Sequence, residues 1–449
     1  MTQTGLDQAR QKMRRAGVPD LAITVFTHYY TELEAGETGM IPEESILPFT
    51  NPVAPEALEY SEEDQRQALQ QTVVIKLNGG LGTSMGLDKA KTLLKVRRGL
   101  NFLDIIALQI LSARKRYGAD LPVIFMNSFR TDADTLEALR KYPDLPVDGL
   151  ALSFLQTQEP RLHATDLSPL EGADDPEIEW CPPGHGDIFT SLQTTGLLDR
   201  LLERGVCFAQ VSNGDNLGAT PNGVVAAWFA QSGAPFAMEV CARSTNDRKG
   251  GHLARWREGG GLLLREFVQT PPDDASFFMD EHRHPYFNTN TVWLNLHAIR
   301  DVLAQREGVM GLPLIRNEKV IETLPDRPTV VQIETAMGAA ISVLPGSSAV
   351  LVGRERFIPV KTTNELLLLR SDAFELAEDG SFHLAAPRLP RVVLEPTYYG
   401  RIDRFDARIP VAPSLVAAQA LTVEGDWTFM PGAVVTGEMT LGPEGGIYG

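Results

Sequence analysis

Short apolar runs alternate with longer stretches of helical period through the middle of the chain. Residues 73–77, Val-Val-Ile-Lys-Leu, form a β-branched run closed by glycines, which predicts a buried strand. Leu103, Ile106, Ala107, Ile110 and Leu111 recur on one helical face, so 101–117 reads as a helix. Asn101 and Asp104 are spaced as its capping box, and Gly118 is its stop. Further strands are expected at 121–126, 149–155, 206–211 and 235–241. Further helices are expected at 131–141, at 187–202 with Asp187 as cap, and at 221–231. Before this region, 21–26 opens an apolar helix face, and Pro42, Pro48, Pro52 and Pro55 then break the chain up. After about residue 375 the helical period fades. Short runs at 421–423, 433–436 and 439–441 stand between Gly and Pro, a pattern of small β rungs.

Strands alternating with helices of this length predict βαβ units and a mostly parallel sheet. Ligands of such sheets bind beyond the carboxyl ends of the strands. The glycine-rich run after Leu77 and the polar run after Val211 both fall at that edge. Three segments follow: a helical extension over 1–70, a main α/β domain over 71–375, and a small β domain over 376–449.

Composition narrows the class. The chain has 449 residues, 43% hydrophobic and 22% charged, enough apolar material for a sizeable core. A formal net charge of −17 argues against a nucleic-acid binder, which needs a basic face. It leaves room for a small anion held by a few local cations or a metal. Cys181, Cys207 and Cys241 are too scattered for a metal knuckle or a disulfide framework, so buried or partly buried thiols are expected. Residues 1–17 lack an apolar signal core, and no stretch reaches roughly 18 apolar residues, so a cytoplasmic protein is expected.

Several constellations carry candidate chemistry. Asn78-Gly-Gly-Leu-Gly-Thr-Ser-Met-Gly86 follows a strand and precedes Lys89 and Lys91. Glycines let backbone N–H groups face a phosphate chain, and a lysine can neutralise it. No Gly-Lys-Ser/Thr follows, and Met85 stands at the third glycine position, so the run is neither a P-loop nor a dinucleotide fingerprint. A tight surface turn with a solvated lysine pair is the bland alternative. Ser212-Asn-Gly-Asp-Asn-Leu217 places Asp215 where a carboxylate could hold a hard cation, with Asn213 and Asn216 as groups that could bond a base or sugar; an Asx turn is the alternative. Pro182-Pro-Gly-His-Gly-Asp187 sets His185 at a helix start, able to bond a sugar or phosphate. A phosphate nucleophile is already ionised, which makes a histidine base unnecessary. Tyr286-Phe-Asn-Thr-Asn290 and Glu334-Thr-Ala-Met-Gly338 offer amides and a carboxylate suited to hydroxyls, and Lys361 stands at a strand-like end.

These stretches resemble the UTP–glucose-1-phosphate uridylyltransferase family of eukaryotic type. The resemblance runs in order through Lys76-Leu-Asn-Gly-Gly-Leu-Gly-Thr-Ser-Met-Gly86, Pro182-Pro-Gly-His-Gly-Asp187, Asp215-Asn-Leu-Gly-Ala219, Arg248-Lys-Gly-Gly-His-Leu-Ala-Arg255, Phe287-Asn-Thr-Asn290, Glu334-Thr-Ala-Met-Gly-Ala-Ala340 and Val360-Lys-Thr-Thr363. It implies a Rossmann-like mixed-sheet nucleotidyltransferase core over 71–375 and a C-terminal left-handed β-helix over 376–449. It implies magnesium as cofactor and UTP and glucose 1-phosphate as substrates; the C-terminal domain could pair end to end in a homo-oligomer or remain free. Leu77, Asn78, Gly79 and Gly80 resemble the nucleotide loop, Gln156 the uracil reader, and Gly184 a second contact near the base. Lys91 and Lys361 resemble the phosphate lysines, and Asn213 and Asp215 the asparagine and metal-binding aspartate. His185, Gly251, Asn288 and Glu334 resemble the sugar-side positions. Gly214 departs from the family pattern, which is expected to loosen the backbone beside Asp215. Thr291 replaces a second asparagine, and Lys89 is an added cation.

The reaction so implied is in-line attack by the phosphate of glucose 1-phosphate on the α-phosphorus of UTP. Competing readings are the same transfer to galactose or N-acetylglucosamine 1-phosphate, a non-catalytic nucleotide-sugar binder, which could dispense with Lys91 or Asp215 although both are present here, and a glycosyltransferase, which would need an acceptor site and an Asp-x-Asp metal pair. Asp132-Ala-Asp134 and Asp273-Asp274 follow no expected core strand.

Overall fold

The apolar run at 73–77 becomes the strand Thr72–Asn78 in the computed structural model, which describes residues 2–54, 57–244, 247–324 and 326–449. Pro55, one of the chain-breaking prolines, lies outside the described residues. Val73 to Lys76 are buried, and the strand pairs in parallel with Val123–Asn127, from Val74 opposite Val123 to Asn78 opposite Asn127. A parallel pair needs a long crossover. The helix Phe102–Tyr117 supplies it, with the expected capping box of Asn101 and Asp104 and a left-handed Gly118 at φ 64°. Phe102, Leu103, Ile105, Ile106, Ala107 and Ile110 are among its buried side chains.

The chain divides into two compact units interleaved along the sequence. The first comprises Met1–Val73, Phe154–Val211 and Val224–Val352; the second comprises Val74–Ser153, Ser212–Gly223 and Gly353–Gly449.

In the first unit the sheet is mixed, as the family resemblance implies and unlike the mostly parallel sheet that the strand–helix alternation predicts. Tyr286–Asn295 runs antiparallel to Phe236–Ala242, to the 208–211 stretch of Phe208–Asn213, and to His252–Trp256 through a single pair. Phe236–Ala242 pairs in parallel with Ser348–Leu351. His252–Trp256 is flanked by Leu262–Arg265 and by the short edge strand Ile46–Pro48, both antiparallel. A second sheet, Ile315–Val320, Thr329–Glu334 and Leu162–His163, is antiparallel throughout. The N-terminal helices Thr2–Arg15 and Asp20–Glu34 bury Met13, Ala22, Ile23, Phe26 and Leu33 against Leu162, Leu314, Val331 and Ile333, largely on this second sheet. The helix expected over 187–202 is two helices, Ile188–Thr194 and Leu197–Glu203, separated at Gly196, whose φ of 67° is left-handed.

In the second unit the C-terminal region holds Arg391–Leu394, Ala418–Val423 and Gly437–Leu441 as a parallel three-stranded sheet. Trp427–Phe429 and Gly446–Tyr448 form a separate parallel pair, and Phe374–Leu376 with Phe382–Leu384 an antiparallel one. The implied left-handed β-helix is corrected to this set of short sheets, which make no solenoid. A solenoid repeats a uniform coil. Here the first pass carries the helices Pro396–Tyr399 and Ile402–Arg408, and the next pass carries no helix. The helix Thr363–Arg370, capped by Thr362 and Glu365, is tied to the first strand by the Leu394 N–H donating to Asn364 Oδ1 at 3.0 Å.

Candidate active site

The phosphate-side residues gather within the second unit. Asn78 ends its strand with its amide hydrogens committed: Nδ2 donates to Asn127 Oδ1 and Thr135 Oγ1, each at 2.8 Å, and Oδ1 accepts from Thr92 Oγ1 at 2.6 Å. This side chain therefore braces the start of the glycine loop through protein partners. Leu77 and Gly79 are half-buried, and Gly80 is exposed with open space where a Cβ would stand. The Lys91 N–H donates to Gly80 O at 3.3 Å, so the chain returns to the loop where Lys91 begins its turn.

Lys91 Nζ donates to Asp215 Oδ2 at 2.6 Å, with both side chains 19% exposed. Asp215 Oδ1 is buried and has no hydrogen-bond partner. Gly214, beside it, is held rather than loosened. Its N–H donates to Leu77 O at 2.8 Å, and a Cβ there would meet Leu77 O and Thr92 Cγ2, each at 3.0 Å. Asn216 proves structural: Oδ1 accepts from Gly218 and Ile358 N–H groups, and Nδ2 donates to Arg356 O. Asn213, half-buried, accepts the Asn216 N–H on its carbonyl at 3.2 Å. The Val360 N–H donates to Asp215 O at 3.2 Å, which sets the exposed Lys361 one residue from the turn that carries Asp215. Lys76, which sequence reasoning passed over as part of an apolar strand, is buried and donates to Ser212 Oγ and Ala219 O. Its ammonium fastens the 212–219 turn; a buried cation needs such partners.

Among the described residues no group of three or more His, Cys, Asp or Glu is placed to hold a metal. Magnesium keeps several waters and is commonly held by one or two carboxylates plus substrate phosphates. The bare buried oxygen of Asp215 fits that mode.

The base- and sugar-side residues gather within the first unit. Gly184 has φ 78°, and a Cβ on it would lie 2.5 Å from Thr335 O and 3.2 Å from Glu334 Cβ, so only glycine fits. Thr335 clasps this turn: its N–H donates to Pro183 O, and its carbonyl accepts from the Gly186 N–H at 2.8 Å. His185 Nδ1 accepts from the Met337 N–H at 3.1 Å. Burial pulls its pKa down to about 4, so the ring is neutral near pH 7. The proton then resides on Nε2, which makes His185 a hydrogen-bond donor there. Gly251 O accepts from the Asn288 N–H at 2.8 Å, and Asn288 Oδ1 accepts from the Asn290 N–H at 2.8 Å. A Cβ on Gly338 would stand 3.2 Å from Asn288 Nδ2, linking this pair to the segment that meets His185. Glu334, partly exposed, accepts from Asn317 Nδ2 at 2.8 Å. Gln156, also partly exposed, follows the strand Ser153–Leu155.

Two buried carboxyls here were missed or misread. Asp187 is not a helix cap: its carboxylate accepts from Thr157 and Ser191. Burial pushes its pKa up to about 6. Glu159 Oε1 accepts from the Ile333 N–H at 3.2 Å, and burial, with the like charge of Asp187, drives its pKa well above the ordinary range. Within the Asp273-Asp274 pair, Asp274 accepts from the Glu43 N–H and from Arg265, and Asp132 accepts from Asn127, so these carboxylates have structural partners. None of the three cysteines lies in a disulfide. Among the described residues no helix is long and apolar enough to cross a membrane.

Comparison with known proteins agrees with these motifs. The sequence profile of the family described as UTP–glucose-1-phosphate uridylyltransferase matches residues 23–436. The UTP–glucose-1-phosphate uridylyltransferase of Saccharomyces cerevisiae is 38% identical over 362 residues, covering 80% of this chain and 71% of that protein. That of Hordeum vulgare is 36% identical over 383 residues, covering 84% and 79%. A mutant UDP-glucose pyrophosphorylase from Leishmania major, solved with UDP-glucose, superposes with a TM-score of 0.93 at 38% identity, covering 100% of this chain and 97% of that one. A Trypanosoma brucei structure titled UDP-glucose phosphorylase gives a TM-score of 0.91 at 38% identity, covering 99% and 97%. With a profile spanning most of its length and relatives this similar, the chain belongs to the UTP–glucose-1-phosphate uridylyltransferase family.

Proposed function

We propose that this chain transfers the uridylyl group of UTP to glucose 1-phosphate, forming UDP-glucose and releasing pyrophosphate. The observation that carries the reading is the Lys91–Asp215 pair at 2.6 Å with its bare carboxylate oxygen, beside the glycine loop of a member of this family. A phosphate oxygen of glucose 1-phosphate attacks the α-phosphorus in line; the bond to the β-phosphate breaks, and pyrophosphate carries the electron pair away. The protein's task is positioning and charge stabilisation. Backbone groups of Leu77, Asn78, Gly79 and Gly80 cradle the phosphates, Lys91 offsets charge on the α-phosphate, and Lys361 holds phosphate oxygens. Asp215 would hold magnesium, which when bound adds a Lewis-acid charge offset at the phosphates.

Asn213 contacts the nucleotide, while Gln156 and Gly184 read the uracil edge. His185, as a neutral donor, contacts glucose 1-phosphate, and Gly251, Asn288 and Glu334 bind the sugar. The division into a helical extension (1–70), a catalytic domain (71–375) and a C-terminal domain (376–449) belongs to the same proposal, as do a cytoplasmic location and a homo-oligomer formed through the C-terminal segment. The test is pyrophosphate release from UTP plus glucose 1-phosphate, with and without Mg²⁺. Magnesium-dependent release supports the reading; no release with or without Mg²⁺ overturns it.

A further inference from the structure

We propose that Asp187 is a positioning residue for the nucleobase, its carboxylate anchoring the segment that carries Gln156 to the turn that carries Gly184 and His185. The inference rests on the reading of Gln156 and Gly184 as uracil contacts. Asp187 Oδ2 accepts from the Thr157 backbone N–H at 2.6 Å and from Ser191 Oγ at 2.7 Å; Oδ1 accepts from Thr157 Oγ1 at 2.7 Å. Thr157 is the residue after Gln156, and Asp187 lies two residues beyond His185. One side chain therefore fixes the spacing between both segments assigned to the base.

Two observations separate this role from ordinary helix capping. Asp187 occupies the N-cap position of Ile188–Thr194 yet makes no side-chain cap bond. The residue is 4% exposed, and its carboxylate is turned toward a segment thirty positions earlier in the chain. Desolvating a carboxylate is costly, and three donors converge to offset that cost. The same segment is tied down a second time two residues on, where Glu159 accepts from the Ile333 N–H. From the other side, Thr335 clasps Pro183 and Gly186. Gln156 thus directly precedes a segment bonded at Thr157 and again at Glu159, and its place depends on Asp187.

The experiment compares UTP with CTP, which differ only at the base edge, using the full chain. Asp187→Ala is expected to raise KM for UTP by about 10- to 100-fold, the scale of a small misplacement, with a smaller change in kcat and a reduced UTP-over-CTP preference. Asp187→Asn, which keeps an oxygen acceptor for the Thr157 N–H, should recover most of the preference. Thr157→Val deletes only the hydroxyl donor and should move the preference in the same direction to a lesser extent. If Asp187→Ala fails to fold, Thr157→Val decides. An unchanged UTP/CTP ratio in whichever of these folds overturns the proposal. Gln156→Ala separates the two levels: if it leaves the ratio intact, the base reading itself falls and takes the anchor with it. If Gln156→Ala erodes the ratio and the anchor variants do not, the anchor alone is wrong.

Discussion

Lys91 and Asp215 lie 124 positions apart in the chain and meet at 2.6 Å. The lysine is brought back to the glycine loop by the bond from its own N–H to Gly80, and the aspartate is fixed by Gly214 on Leu77 and by Val360 on its carbonyl. Their pairing sets a cation and a carboxylate side by side beside the glycine loop. Lys91→Ala is expected to lower kcat by about 10²–10³, in line with the loss of one preorganised charge-stabilising donor. Pyrophosphate release measures it, and a loss under tenfold would remove Lys91 from the chemistry.

Asp215→Asn should separate metal binding from folding. The amide keeps the shape but loses the anionic oxygen that a hard cation prefers. The magnesium concentration giving half-maximal rate should rise at least about tenfold, with an unchanged melting temperature. Chelation with EDTA should stop the native enzyme. An unaltered magnesium dependence in the variant would place the metal elsewhere.

Selectivity for the base follows from unpaired groups. A site built to pair uracil's edge leaves buried polar groups unsatisfied when adenine enters, and such sites discriminate by about 10⁴ or more. UTP should therefore be used far faster than ATP. Comparable turnover with both nucleotides would contradict the role given to Gln156.

The ionisation of His185 sets a pH signature. Burial holds its pKa near 4 against 6.5 when unperturbed. Between those values the unfolded chain binds more protons than the folded one, so the stability this group contributes is present above about pH 6.5 and lost as pH falls toward 4. Asp187 acts with the opposite sign. Its pKa of about 6 lies above 3.8, so its ionisation costs stability as pH rises through that window. His185→Gln should therefore lose less stability than the native protein between pH 7 and pH 5 in urea unfolding. Equal losses would show that the ring is not held neutral by the fold.

Asn78 should matter to stability more than to ligand contact by its side chain. It is 4% exposed and bonded to Asn127, Thr135 and Thr92. Asn78→Ala leaves these buried partners short of bonds and is expected to cost about 2–4 kcal/mol. Urea denaturation checks this; a cost below about 0.5 kcal/mol would mean that the partners re-pair or reach water.

Local rules were enough for the elements built from near neighbours. The strand at 73–77, the helix from Phe102 with its Asn101–Asp104 box, the Gly118 stop and the glycine loop before Lys91 all follow from residues within a few positions of one another. The family motifs likewise named candidate residues for both substrates, because loop chemistry is written in short stretches.

Three-dimensional pairing decided the rest. Tyr286–Asn295 mixes polar and apolar positions in an order that signals no clear strand, and only its antiparallel partners made it the spine of the first unit's sheet. The C-terminal runs looked like solenoid rungs until unequal passes split them into separate short sheets. Asp187 reads as a helix cap in the sequence, and only folding turned it to Thr157. Whether a carboxylate caps, clamps or coordinates depends on which donors are brought to it after burial, and those donors lie beyond the reach of any local pattern. The amino-acid order determined the chemistry available to this protein; the tertiary structure decided which groups spend that chemistry on each other and which, like the second oxygen of Asp215, are buried without a hydrogen-bond partner, because those pairings join residues far apart in the chain.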